Sequence, residues 1–182
     1  MLIEMKVASL TTDPFTNMPI VVLTDSGAEN GDAPTIVPIA IGVSEAKAIA
    51  MELESVSLER PMVHDLVKHV LGVCGARLDR VEIHDVFGDT HLARLIVIRT
   101  DGSVATLDSR ASDAIALALR TGSPIQVSRK VIDAAQSEPE LAELCAALSM
   151  DLGAGLDAFP APPPSERELS DLGDRAFGKW KM

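Results

Sequence analysis

The chain has no tyrosine, and aromatics of any kind make up 3% of its 182 residues. A core of stacked rings is excluded, so Val, Ile, Leu, Met and Ala must fill the interior. Cysteine is scarce as well. Cys74 and Cys145 stand far apart in helix-like segments, which argues against a disulfide framework or a thiolate metal cage. Buried free thiols in a reducing, cytoplasmic setting are the expectation. No apolar run approaches the roughly 18 residues that cross a bilayer, so no membrane partner is expected. Glu4 and Lys6 interrupt the N-terminal segment in a way that no secretory signal would. Basic surplus is missing too: residues 1–135 hold 12 Lys+Arg against 18 Asp+Glu, and residues 136–182 hold 4 against 9, for a formal charge of −11. A nucleic-acid role would therefore rest on a local basic patch or on bound divalent cations.

What is present is an ordinary soluble composition, 47% hydrophobic and 24% charged, and an internal echo. Ser44-Glu45-Ala46-Lys47-Ala48-Ile49-Ala50-Met51 and Ser112-Asp113-Ala114-Ile115-Ala116-Leu117-Ala118-Leu119 each place a Ser and then an acid at the start of an Ala-rich helix. Ser44 is the expected N-cap, with Glu45 in the first turn, where the helix dipole favours an acid. Upstream of each helix lie three strand-like segments. Residues 3–10 and 80–86 alternate apolar and polar side chains with period two, the mark of half-buried strands. Ile20–Leu23 is more uniformly apolar, and Thr35–Ile41 follows it. In the second half come Leu92–Arg99, an Asp101-Gly102 hairpin signal, and Val104–Leu107. Gly122 is the expected C-cap of the second helix. Beyond the paired helices, Val56-Ser57-Leu58 precedes a helix over 61–74, and the strand 124–128 precedes a helix over 130–136. The pattern predicts a twice-repeated β-β-β-α-β-α unit over residues 1–135, in the α+β class. Residues 136–182 form an acidic, helical and Pro-rich extension, with a helix over 137–150, the stiff run Pro160-Ala161-Pro162-Pro163-Pro164, and a further helix from Ser165.

Three groups of residues could carry chemistry. Asp108, Arg110 and Asp113 surround the junction of the sixth strand and the second Ala-rich helix, where two carboxylates could bind a divalent ion and Arg110 a phosphate. The plainer reading is a capped helix with its acids neutralised by Arg110. Next, Arg60 leads into a helix whose apolar stripe is Val63, Leu66, Val67, Val70 and Leu71, leaving His64, Asp65, Lys68 and His69 on the polar face. Asp65 with His69 could ligate a metal or act as an acid/base pair; a solvated face accounts for Lys68 and His69 as well. Finally, Glu45 is the counterpart of Asp113, while Glu52 and Glu54 read as solubilising residues. His84, Asp85, Asp89 and His91 span a predicted hairpin without a fixed third ligand.

Taken in order, Met5-Lys6-Val7, Pro38-Ile39-x-Ile41-Gly42-x-x-Glu45-Ala46, Arg60-Pro61-x-x-His64-Asp65-Leu66, Asp108-x-Arg110-x-Ser112-Asp113-Ala114-Ile115-Ala116-Leu117-Ala118 and Pro124-Ile125 resemble the bifunctional nuclease domain family over roughly residues 1–135. The resemblance implies an α+β fold with a mixed, barrel-like sheet flanked by helices, a homodimer, and nuclease activity on DNA and RNA. Carried over by position, the motif residues are Glu45, Arg60, His64, Asp65, Asp108, Arg110, Ser112 and Asp113. Val63 stands where the family commonly has Thr, Ala111 where it has Pro, and Leu92 where a Tyr is often found. The expectation is a metal-assisted phosphodiesterase with His64, Asp65, Asp108, Asp113 and Glu45 catalytic and Arg60 and Arg110 gripping phosphate. Mg²⁺ or Mn²⁺ would sit on Asp108, Asp113 and Glu45, or on Asp65. The alternative is a non-catalytic dimeric binding or regulatory module in which the same charges lock one half against the other.

Overall fold

A computed structural model describes residues 1–13, 16–25, 34–56, 58–88, 90–137, 143 and 145. The elements run β1 (Leu2–Thr12), β2 (Pro19–Asp25), β3 (Ile36–Ala40), α1 (Val43–Leu53), α2 (Val63–Val73), β4 (Ala76–Phe87), β5 (Thr90–Arg99), β6 (Val104–Arg110), α3 (Ala111–Thr121), β7 (Ile125–Ser128) and α4 (Arg129–Ser137). All seven strands join one sheet in the order β3-β2-β1-β7-β4-β5-β6. Only β4 and β7 pair in parallel, so the sheet is mixed and the α+β class holds.

The sheet is open rather than barrel-like. β3 and β6 are its two edges and do not pair with each other. β3 carries Pro38, a residue without the N–H a second neighbour would need, which suits an edge strand. The order β-β-β-α occurs twice, as the echo predicts, but the two halves diverge afterwards. Between α1 and α2 no strand forms among the described residues, whereas β7 follows α3 and enters the middle of the sheet. Of the expected C-terminal helices and Pro-rich run, all but Ser137, residue 143 and Cys145 lie outside the described residues, as does Asp89.

One face of the sheet carries the main core. Val21, Leu23, Val37, Ile39, Val81, Ile83, Ala93, Val97 and Val127 pack there with Ile49 of α1, Ile115 of α3 and Val131 and Ile132 of α4. α3 is the most enclosed element. Ala111, Ala114, Ile115, Ala116, Leu117 and Ala118 are all buried, since α3 has α1 and α2 beside it and β4, β5 and β6 beneath. Its alanines let the neighbouring helices come close. The other face is different in kind. Register places Glu4, Gln126, Glu82, Arg94 and Asp108 side by side across β1, β7, β4, β5 and β6. Glu82 is buried there between two arginines, its oxygens accepting from Arg80 Nε at 2.8 Å and Arg94 Nε at 2.7 Å.

Several local expectations shift by a turn or a face. α1 begins at Val43 with Gly42 as N-cap and no side-chain cap, so Ser44 is inside the helix. α3 ends as expected, with Gly122 left-handed at φ 66°. Both cysteines are free, but Cys74 is exposed rather than buried; Cys145 lies against the small cluster of Ile20, Val22 and Ile36. The largest departure is α2, which buries none of its residues fully. Its expected apolar stripe faces outward except for Leu71, and the polar side of the helix meets the protein.

Candidate active site

The inversion of α2 is what assembles the polar groups. α1 and α3 lie side by side and run the same way: Glu45 and Arg110 meet at their N-terminal ends, while Glu52 and Ala48 of α1 meet Arg120 at the C-terminal end of α3. The first turns of both helices therefore open at one place, each with an acid where the dipole favours it. Arg110, the N-cap of α3, bridges them. Its Nε donates to Asp113 Oδ2 at 2.7 Å, and its Nη2 lies 3.2 Å from Asp113 Oδ1 and 3.0 Å from Glu45 Oε1. His64, in the first turn of α2, closes the group with Nε2 3.3 Å from Asp113 Oδ1. Its Nδ1 is buried without a hydrogen-bond partner among the described residues. When Nε2 carries the proton donated to Asp113, Nδ1 is left as an unfilled acceptor. Burial by itself would raise the Asp113 pKa, but Arg110 and His64 outweigh it and hold the carboxyl below the usual aspartate range. The Asp113 bond in turn raises Arg110. Arg110 is 62% exposed, so this cation is offered to solvent.

A second cluster begins at the next residue of α2. Asp65 accepts the Met62 N–H at 2.8 Å, closing the N-terminus of α2, and its other oxygen takes Arg120 Nε at 2.8 Å. Arg120 is 6% exposed and also donates to the carbonyls of Ala116 and Ala48. Lys68 donates to the Arg120 carbonyl, capping the last turn of α3 with a second cation. Burial pushes the Asp65 pKa up, yet the Met62 amide and Arg120 together bring it below the ordinary value. Asp65, Lys68 and Arg120, with Glu52, Glu59, Arg60 and His69, line a cleft of about 500 Å³ between the end of α1 and the start of α2. Arg60 is exposed at that cleft and takes part in no ion pair among the described residues.

The structure thus brings together Glu45, His64, Arg110 and Asp113, puts Arg60 and Asp65 in the neighbouring cleft, and leaves Asp108 apart. In β6, Ala105 packs on the core, so Asp108, three residues on, has the opposite parity and belongs to the polar face beside Arg94. Asp65 and His69 do not form a pair: Asp65 is engaged by Arg120, and His69 is exposed. The described hairpin residues, His84, Asp85 and His91, do not converge either. His84 bonds the Leu92 carbonyl, Asp85 pairs with Lys130, and His91 is shielded with its pKa lowered by burial. Among the described residues, no three His, Cys, Asp or Glu side chains stand close enough to share an ion. Sequence reasoning missed Arg120, although superposing the two Ala-rich helices sets it against Glu52, opposite charges at equivalent positions. It missed the Arg80–Glu82–Arg94 sandwich as well, because a buried acid in an alternating strand looks like any solvent-facing one.

Comparison with known proteins adds a lineage to this geometry. Residues 21–140 match the family described as the bifunctional nuclease domain. Uncharacterised proteins from two strains of Mycobacterium tuberculosis are each 36% identical over 129 residues, which cover 71% of this chain and 73% of theirs. A protein named bifunctional nuclease 1 from Oryza sativa subsp. japonica is 28% identical over 98 residues, 53% of this chain and 30% of the rice protein. Bifunctional nuclease 2 from the same plant is 27% identical over 114 residues, 62% of this chain and 34% of its own length.

Proposed function

The chain belongs to the bifunctional nuclease domain family, and on that premise we propose that it hydrolyses phosphodiester bonds in DNA and RNA at the cluster of Glu45, His64, Arg110 and Asp113. The observation that carries this reading is the exposed Arg110 guanidinium held between two carboxylates, with His64 against one of them. With Nε and Nη2 engaged by the carboxylates, the guanidinium is held fixed and its Nη1 keeps two N–H donors for a phosphate oxygen. Arg60, in no ion pair among the described residues, would meet a neighbouring phosphate of the same strand from the adjoining cleft. His64 would move a proton at the scissile oxygen through Nε2, the nitrogen now on Asp113, since Nδ1 is buried.

A divalent ion held by Glu45 and Asp113 would take the place of Arg110 between them and free the guanidinium for phosphate. Glu45 and Asp113 already converge on one cation, Arg110, and Mg²⁺ commonly takes only one or two carboxylates, with water and phosphate oxygens completing its shell. Mg²⁺ or Mn²⁺ bound there would supply charge stabilisation and an activated water. Asp108 would join only through a change of face, so the reading rests on two carboxylates rather than three.

The competing reading is a non-catalytic regulatory module, favoured by the observation that Glu45, Asp65 and Asp113 are each already paired with an arginine. Asp113→Asn separates the two. Its ion pair is partly exposed, so loss of the charge should cost about 1 kcal/mol and lower Tm by about 2–4 °C. The nuclease reading expects metal-dependent cleavage of DNA and RNA by the full chain, abolished in this folded variant. If the wild-type chain cuts neither substrate with Mg²⁺ or Mn²⁺, while a known nuclease cuts both alongside, the nuclease reading is lost.

A further inference from the structure

Phe87 is the only Phe, Tyr or Trp among the described residues, and it is 81% exposed. The core does without it, since aliphatic side chains fill the space between sheet and helices. Single exposed aliphatic residues are ordinary on a protein surface, but a ring left in water by a chain with so few rings calls for its own account. Phe87 closes β4 and pairs with Thr90, the first residue of β5, so it stands at the tip of the β4–β5 hairpin. Gly88 turns the chain there at φ 57°. Among the described residues, nothing lies within 4 Å of where a side chain at Gly88 would stand, so the tip is open on that side.

Register ties this tip to the cluster at Arg110. Arg110 pairs with Leu92 and Leu92 with Asp85, and Phe87 lies two residues beyond that row, so all belong to one end of the sheet. Two strand spacings across and two residues along put the Cα atoms of Phe87 and Arg110 about 12 Å apart. α3 begins at that end with Arg110 as its N-cap, and the cleft that holds Arg60 lies towards its other end, where Arg120 lines it. The order along α3 is therefore ring, exposed guanidinium, cleft. The acid beside the ring on its own strand, Asp85, is engaged by Lys130 at 2.6 Å, which lessens its repulsion of a phosphate backbone. We propose that Phe87 is a base-stacking residue and that the nucleic acid this protein takes is an unpaired strand, an inference that rests on Arg110 as the phosphate contact. With one phosphate on Arg110, the strand runs towards Arg60 on one side and brings a base over Phe87 on the other. Stacking needs a free base face, which a duplex offers only at its ends. The ring reads the π-face that every base has, and neither it nor the two arginines distinguish the sugar at its 2′ position, so DNA and RNA strands are held alike.

Fluorescence anisotropy of labelled oligothymidine and oligouridine with the full chain tests this, at low salt and in EDTA so that binding is read without cleavage. Wild type should bind both single strands about tenfold or more tighter than a duplex of the same length. Phe87→Ala should weaken single-strand binding about tenfold and leave duplex binding unchanged. Phe87→Leu, which keeps apolar bulk without a ring, should bind as weakly as Phe87→Ala, and Phe87→Trp should bind as wild type does. Because the ring lies in solvent, all three variants should melt with wild type, so a lost affinity is not a lost fold. A wild-type chain that binds no single strand, or a Phe87→Ala or Phe87→Leu protein that binds it as wild type does, would overturn the proposal. Cleavage is read separately with Mg²⁺ or Mn²⁺. A chain that binds through Phe87 and cuts nothing keeps base stacking and loses the nuclease reading, while one that cuts and is indifferent to Phe87→Ala does the reverse.

Discussion

Asp65→Asn should destabilise the protein more than removing the arginine it serves. Arg120 is enclosed, its side chain 3% exposed, whereas Asp65 is a third exposed. Asparagine keeps an acceptor for the Met62 N–H, so the start of α2 survives, but the buried guanidinium loses its nearest counter-charge. Breaking a buried ion pair from one side costs about 3–5 kcal/mol. Glu52, 3.9 Å from Arg120 Nε, supplies part of the missing charge and sets the expectation at the lower end, about 3 kcal/mol. Arg120→Met is the milder change. It removes the buried cation, fills much of the same volume, and leaves Asp65 able to hydrate, while the Ala48 and Ala116 carbonyls lie inside helices. About 1–2 kcal/mol is expected for that variant. The double variant Asp65→Asn with Arg120→Met should match Arg120→Met alone, a coupling of about 3 kcal/mol between the two sites. By thermal or urea unfolding, Asp65→Asn should melt about 6–12 °C below wild type, with the double variant recovering roughly one to two thirds of that loss. An Asp65→Asn protein within about 1 kcal/mol of wild type, or costs that simply add in the double variant, would refute the idea that Asp65 exists to neutralise a buried arginine.

Two other expectations follow from single contacts. A Cβ at position 42 would collide with the Glu45 carboxylate, which folds back over Gly42. Because Gly42 has an ordinary φ of −73°, Gly42→Ala should leave Tm nearly unchanged, move Glu45 off Arg110, and lower cleavage about tenfold or more; unaltered cleavage would remove Glu45 from the site. For Glu82, burial raises the pKa but Arg94 and Arg80 win, leaving it below 4.5. A depressed folded value means that its contribution is complete above pH 4.5 and fades as pH falls through the folded value. Tm measured from neutral to acid pH should therefore decline less steeply below pH 4.5 in Glu82→Gln than in wild type, and equal slopes would dismiss the sandwich as a source of acid sensitivity.

Much of the architecture was legible in local pattern. The period-two runs at 3–10 and 80–86, the uniformly apolar Ile20–Leu23, and the Gly122 stop each became the element they announced, because strand alternation and a left-handed C-cap are decided by neighbours in the chain. The family was legible too, from a run of motifs that includes Asp108, Arg110 and Asp113. Whether those residues share a site was not. Asp108 and Arg110 have the same parity in β6, yet Arg110 ends the strand and reaches Asp113 and Glu45 at the mouth of α3, while Asp108 stays beside Arg94; only Ser109 lies between them in the chain.

The sequence by itself determined the α+β class, the strands, the two Ala-rich helices with an acid at each mouth, and the pairing of Arg110 with Asp113, because all of these are set within a few residues. Tertiary structure alone decided that the sheet stays open and that β7 enters its centre. It also decided that α2 turns its charged side inward. A hydrophobic stripe ordinarily faces the core, but the space beside α3 is already bounded by the buried Arg120, which must be neutralised where it lies. Asp65 meets that need at the expense of the stripe, and the same rotation carries His64 to Asp113 and leaves Val63, Leu66, Val67, Val70 and Val73 facing outward.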